Sequence, residues 1–198
     1  MQYFKMVKLK IMDLKMILLL HVFLTACSCR SQVLPINTSL KDIPANAYVK
    51  DLNNEFASYV GMYTTTYQGN NITLYITKVE NKLEKSSQKN YYLDVLDIKY
   101  IVKNASGNIL QDTQNNNLPK IHLYSIGIRP YENSIHFFYS GTNCRAGWGK
   151  VILKKINATE ISWEYIPNST IIDSAQCPPA TDTTIYLPET KDLIFTKQ

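Results

Sequence analysis

In the stretch EISWEYIP, Ile161, Trp163 and Tyr165 alternate with Glu160, Ser162 and Glu164. A period of two puts apolar side chains on one face of an extended strand and polar ones on the other, so this segment has one buried and one wet face. Strands of a parallel sheet, covered on both sides, would read as near-continuous apolar runs. The alternation therefore predicts antiparallel pairing.

The same pattern recurs along most of the chain. Residues 62–67 and 72–79 read as a hairpin in which Ile72, Leu74 and Ile76 face one way and Thr73, Tyr75 and Thr77 the other, with Gly69 and Asn70 supplying turn chemistry. Over 93–103, Leu96, Ile98, Tyr100 and Val102 oppose Asp97, Lys99 and Lys103, and Gly107 with Asn108 then turns the chain. Further strands are expected over 120–128, 134–141, 149–156, 160–167 and 192–197, giving about eight in all. One segment breaks the period: Val49, Leu52, Phe56, Tyr59 and Val60 recur at helical spacing and predict a short helix ending at Gly61. Successive strands on short connections make a meander. A meander of this length must split into a sandwich or close on itself, and closure removes the exposed edges. The expected fold is mainly β, an antiparallel meander closed into a barrel, with one short N-terminal helix.

The N-terminus carries a different signal. Residues 16–26 are apolar apart from His21 and Thr25 and follow Lys5, Lys8, Lys10 and Lys15. A bilayer-spanning helix needs about 20 apolar residues, so this run fits the hydrophobic region of a signal peptide over 1–26. Residues 27–44 then read as a tether and 45–198 as a single β-rich domain.

Leu24-Thr25-Ala26-Cys27 resembles the lipobox of bacterial lipoproteins, which implies diacylation of Cys27 as the new N-terminus and stable attachment to a membrane. Ser28, not an aspartate, stands next to Cys27, and the acidic cluster of surface-exported lipoproteins is missing; the resemblance then implies an outer-membrane lipoprotein facing the periplasm. The lipobox, the segment LPINTSLKDIPANAYVKDLNNE, the Tyr59-Val60-Gly61 step and the β-rich body together resemble an uncharacterised family of small Bacteroidetes lipoproteins. Gly61-Met62-Tyr63 before a long meander also resembles the opening of lipocalin-like domains, with Tyr63 where those usually carry tryptophan. That resemblance implies a lipocalin-like barrel.

Charge and motifs narrow the function. Loss of residues 1–26 removes four lysines and one aspartate, which lowers the formal net charge from +5 to +2. No basic stripe remains to track a phosphate backbone, which argues against nucleic acid as a partner. With Cys27 assigned to the lipobox, Cys144 and Cys177 read as a disulfide closing a loop of about 33 residues, and Cys29 is left over. His122 and His136 each stand alone in an apolar strand, so neither a metal site nor a cofactor is expected. Asp94 and Asp97, three apart in a strand, point to opposite faces, and no nucleophile elbow, phosphate loop or zinc motif occurs. The expected role is non-catalytic: interaction with an envelope protein or a structural role, or alternatively binding of a small apolar or glycan-like molecule. For the latter the candidate pocket residues are Arg129, Tyr139, Arg145, Trp148, Trp163 and Tyr165. A hydrolase-type site assembled from distant residues is the remaining alternative.

If Cys27 is acylated, the processed protein partitions with membranes and Cys27→Ser releases it. An intact mass showing a fully processed chain with an unmodified Cys27 overturns the expectation.

Overall fold

The structure, a computed structural model, describes residues 32–114, 121–172, 175 and 177–198. Cys27, Cys29 and the signal segment lie outside the described residues. In chain order the strands are β1 (Val33–Pro35), β2 (Tyr48–Lys50), β3 (Gly61–Tyr67), β4 (Asn70–Lys85), β5 (Asn90–Lys103), β6 (Ile109–Asp112), β7 (Leu123–Arg129), β8 (Ser134–Tyr139), β9 (Trp148–Lys155), β10 (Glu160–Ser169) and β11 (Leu193–Lys197).

Eight of these, β3, β4, β5 and β7 to β11, are the eight segments that alternation marks, and they close into an antiparallel up-and-down barrel. Each pairs with the next in sequence, and β11 returns to β3 through Thr196 opposite Thr64. The gap between β5 and β7 is bridged by Asp97 opposite Tyr124. Beside that bridge the Leu96 N–H donates to Ser125 Oγ at 2.9 Å, so a side chain takes over where the ladder is short. The β3–β4 hairpin turns at Gln68 and Gly69, both at positive φ, with Tyr67 opposite Asn70. Two left-handed residues are what a two-residue turn between right-twisted strands requires. The turn thus sits one residue earlier than Gly69-Asn70.

Inward-pointing side chains fill the barrel. Tyr63, Leu74, Leu96, Tyr100, Phe137, Tyr139, Leu153, Trp163 and Phe195 are all 0% exposed, so no water-sized space touches any of them. Eight strands enclose an interior just wide enough for side chains to meet, and large aromatics complete the filling here.

The helix expected over Val49 to Val60 does not form. Tyr48–Lys50 is instead a strand, parallel to β1 and to β5, and only one 3₁₀ turn follows, at Glu55–Ser58. Two interactions override the helical spacing. Val49 packs with Ile43, Ala47 and Tyr91 in a small cluster of its own, which holds the segment extended. The Asp51 carboxylate accepts from the Glu55 and Phe56 N–H groups at 2.7 and 3.2 Å and caps the short turn. Phe56 and Tyr59 then enter the main core from one end of the barrel, while Leu52, expected on the apolar stripe, is 56% exposed. Residues 33–35, expected in the tether, are β1.

That end of the barrel is sealed by charge as well as by rings. The Asp94 carboxylate accepts from the Tyr48 hydroxyl, from the Asp51 N–H at 3.0 Å and from the Asn81 N–H at 3.1 Å. Lys78 Nζ lies 3.2 Å from Asp51 and 3.8 Å from Asp94. Burial pushes the Asp94 pKa up, but the Tyr48, Asp51 and Asn81 hydrogen bonds and the Lys78 charge outweigh it and hold the carboxyl below its ordinary value. A carboxyl held low in the folded state adds stability above its unfolded pKa, and that stability is lost as pH falls through the folded value. Asp94→Asn should cost about 1 to 3 kcal/mol at neutral pH. Its stability, measured by urea unfolding, should also fall less than that of the wild type between about pH 5 and pH 2. An unchanged acid dependence in the variant would show that Asp94 is not the titrating group.

Candidate functional site

The opposite end of the barrel is built from loops, and its shape starts with the β8–β9 connection, residues 140–147. Two consecutive non-glycine residues here, Cys144 and Arg145, take left-handed backbone at φ 57° and 62°. Such a pair costs energy and persists only where surroundings over-determine it. Three restraints do so. The Arg145 N–H donates to Thr142 O and the Thr142 N–H to Ala146 O, closing the turn on itself. Asn143 Nδ2 donates to Asp182 O at 2.7 Å, and Cys144 is disulfide-bonded to Cys177 with Cα atoms 5.5 Å apart. Gly141 stands where a Cβ would lie 2.5 Å from Arg145 O, so the first residue of this fold-back must be glycine.

Beneath the loop the core becomes polar in a controlled way. Tyr139 and Tyr100 hydroxyls meet at 3.2 Å, Tyr100 donates to Gln111 Oε1 at 2.7 Å, and Gln111 Nε2 donates to Thr142 Oγ1 at 2.8 Å. Tyr165 donates to Gly147 O and stands edge-on to Tyr139 at 5.6 Å. Burial raises the Tyr139 pKa to about 12 and pushes Tyr100 and Tyr165 up as well, so all three phenols stay protonated at physiological pH and serve as hydrogen-bond links from interior to loop.

Outside this network lies a half-open groove of about 380 Å³, lined among the described residues by Ile121, Phe138 and the run Ser140, Gly141, Thr142, Asn143, Cys144 and Arg145. Phe138 belongs to the outward phase of β8, one residue after the buried Phe137, and Tyr124 packs edge-on against it at 5.8 Å. The volume falls in the range of small-molecule sites.

The structure divides the six candidate pocket residues. Tyr139, Trp163 and Tyr165 are core residues with satisfied polar atoms, Trp163 Nε1 donating to Pro188 O at 2.9 Å. None of the three is among the described lining residues of the groove; all belong to the filled interior. Arg129 ends β7 at the other end of the barrel, separated from Arg145 by the length of β8. Arg145 and Trp148 meet on the outside of the loop end, with the guanidinium 5.9 Å from the centre of the Trp148 ring. Phe138 and Ile121 were not among the candidates. The signal for Phe138 was present: in SIHFFYSG an aromatic occupies the wet phase immediately before a glycine loop.

His136 lies on the outer wall, 3.9 Å from the Glu132 carboxylate. Burial and then the Lys150 and Arg129 charges push its pKa down, so it is neutral at pH 7. Among the described residues no three His, Cys, Asp or Glu side chains converge as a metal site would require.

The chain belongs to a family of unknown function (DUF6705), whose sequence pattern matches residues 11–198. No curated protein and no solved structure matches it.

The disulfide spans a sequence separation of 33. In the chain-entropy account a loop of that size corresponds to roughly 3 to 4 kcal/mol. Replacing Cys144 and Cys177 together by serine should lower the unfolding free energy by about that amount, and a non-reducing peptide map of oxidised wild type should show the one cross-linked pair. Equal stability of the variant would mean that the hydrogen bonds hold the loop by themselves.

Proposed function

We propose that this member of a family of unknown function binds a small ligand in the groove at the loop end of its barrel, and that it does so without catalysis. A β-barrel of this lipocalin-like kind is compatible with ligand binding, but here the deep interior is occupied by Tyr100, Phe137, Tyr139 and Trp163. The observation that carries the reading is the 380 Å³ groove, whose apolar floor is an outward-facing phenylalanine and whose rim is a covalently clamped loop. A rim held rigid in advance lowers the entropy that a ligand must forfeit on binding. Among the described residues, the neutral, hydrogen-bonded tyrosines and the outer-wall His136 beside Glu132 supply no nucleophile paired with a base, which favours binding over turnover. Acyl chains on Cys27 would keep this domain at the outer membrane on its periplasmic side, as the lipobox implies.

A screen of small apolar and glycan fragments by protein-observed NMR tests the reading. Binders should shift the resonances of Ile121, Phe138 and residues 140–145 and leave Leu74 and Trp163 unmoved. Phe138→Ser should weaken them by about tenfold or more, the equivalent of losing a buried phenyl face. Shifts centred on the barrel interior, or binding indifferent to Phe138→Ser, overturn it.

A further inference from the structure

We infer that the groove selects an amphipathic organic anion, a compact apolar or aromatic body bearing a carboxylate, with Arg145 taking the charged group. The inference rests on the groove reading above and adds the ligand's chemical class.

Most polar side chains at the groove are already spoken for. Ser140 Oγ accepts from the His122 N–H at 2.8 Å and contacts Gly141 O at 3.4 Å. Asn143 gives its amide to Asp182 O, and Thr142 Oγ1 accepts from Gln111. A sugar needs several free donors and acceptors around an aromatic face, and this rim has spent most of its own on holding its shape. Arg145 is the exception. It is exposed, and among the described residues its guanidinium meets no carboxylate and makes no hydrogen bond; it stands over the Trp148 ring. Five N–H donors in a planar fork are therefore available, a geometry that matches a carboxylate.

The charge is also unopposed. No aspartate or glutamate is among the described lining residues. Asp182, whose backbone carbonyl takes the Asn143 amide, commits its carboxylate to the Thr184 N–H and the Tyr186 hydroxyl, each at 2.9 Å. The left-handed backbone at Cys144 and Arg145, pinned by the disulfide, fixes where the Arg145 side chain leaves the loop. An apolar floor at Phe138 and Ile121 next to a fixed cation with no carboxylate partner among the described residues is the complement of an amphipathic anion.

Octanoate, 1-octanol and octylammonium share a chain and differ in head group, so their affinities separate the two halves of the site. They are titrated into the processed, disulfide-bonded protein at low ionic strength, with the shifts of Phe138 and residues 140–145 as readout. Octanoate should bind about tenfold more tightly than octanol and octylammonium more weakly than either, a preference that shrinks with added salt. Arg145→Gln should abolish the preference while octanol affinity stays the same, and Arg145→Lys should retain part of it. Equal binding of octanoate and octanol to wild type overturns the anion assignment and leaves the groove reading intact, as does an unchanged preference in Arg145→Gln. Failure of all three to shift groove resonances overturns both.

Discussion

The second edge of β5 is the constraint on which the rest of this molecule depends. Its first edge pairs with β4 along nearly its whole length. Its second edge is divided among three partners: β2 at Tyr92 and Leu93, β7 at Asp97, and β6 at Ile101 to Lys103. Only the middle contact closes the barrel, and it is short: one bridge reinforced by Ser125 Oγ on the Leu96 N–H. Because the ring closes there, none of the eight barrel strands is left with an open edge along its full length, and the inward phase of every strand faces a space with one filling. Aromatic side chains occupy that space, and the groove lies outside it, at the rim.

The two ends of the barrel meet water by different physics. At one end, Phe56 and Tyr59 enter the core, and two buried carboxylates, Asp51 and Asp94, share Lys78 and a set of backbone N–H donors. Buried charges are costly unless paired and hydrogen-bonded in this way, so this end is specific about geometry and sensitive to protonation. At the other end no buried charge is used among the described residues. Neutral tyrosines pass hydrogen bonds outward to Gln111 and Thr142, and a disulfide holds a backbone that its residue types disfavour. The described chain enters through β1 and β2 beside the charged end, so the groove lies at the end of the barrel away from that entry.

What could be read from the residues, and what could not, follows from the range of the interactions involved. Ile161, Trp163 and Tyr165 are buried as their phase requires, and so are Ile72, Leu74 and Ile76, because alternation is a local property of the strand. The spacing of Val49, Phe56 and Tyr59 is local too, yet it misled. Phe56 and Tyr59 fit one 3₁₀ turn as well as an α-helix, and the choice was made by Asp94, Lys78 and Tyr91, contacts that no window on that segment contains. Arg129 and Arg145 both looked like rim residues, and they are, but of opposite rims.

By itself the sequence determined which side chains face inward and that the strands run antiparallel, since period-two alternation acts between near neighbours. Tertiary structure alone decided that Asp94 is buried with three hydrogen-bond donors, that Phe138 floors a groove and that Arg145 stands beside it with no carboxylate partner among the described residues. Each of these is set by residues tens of positions apart meeting across a closed sheet. No pattern within one strand records how much room the other strands leave.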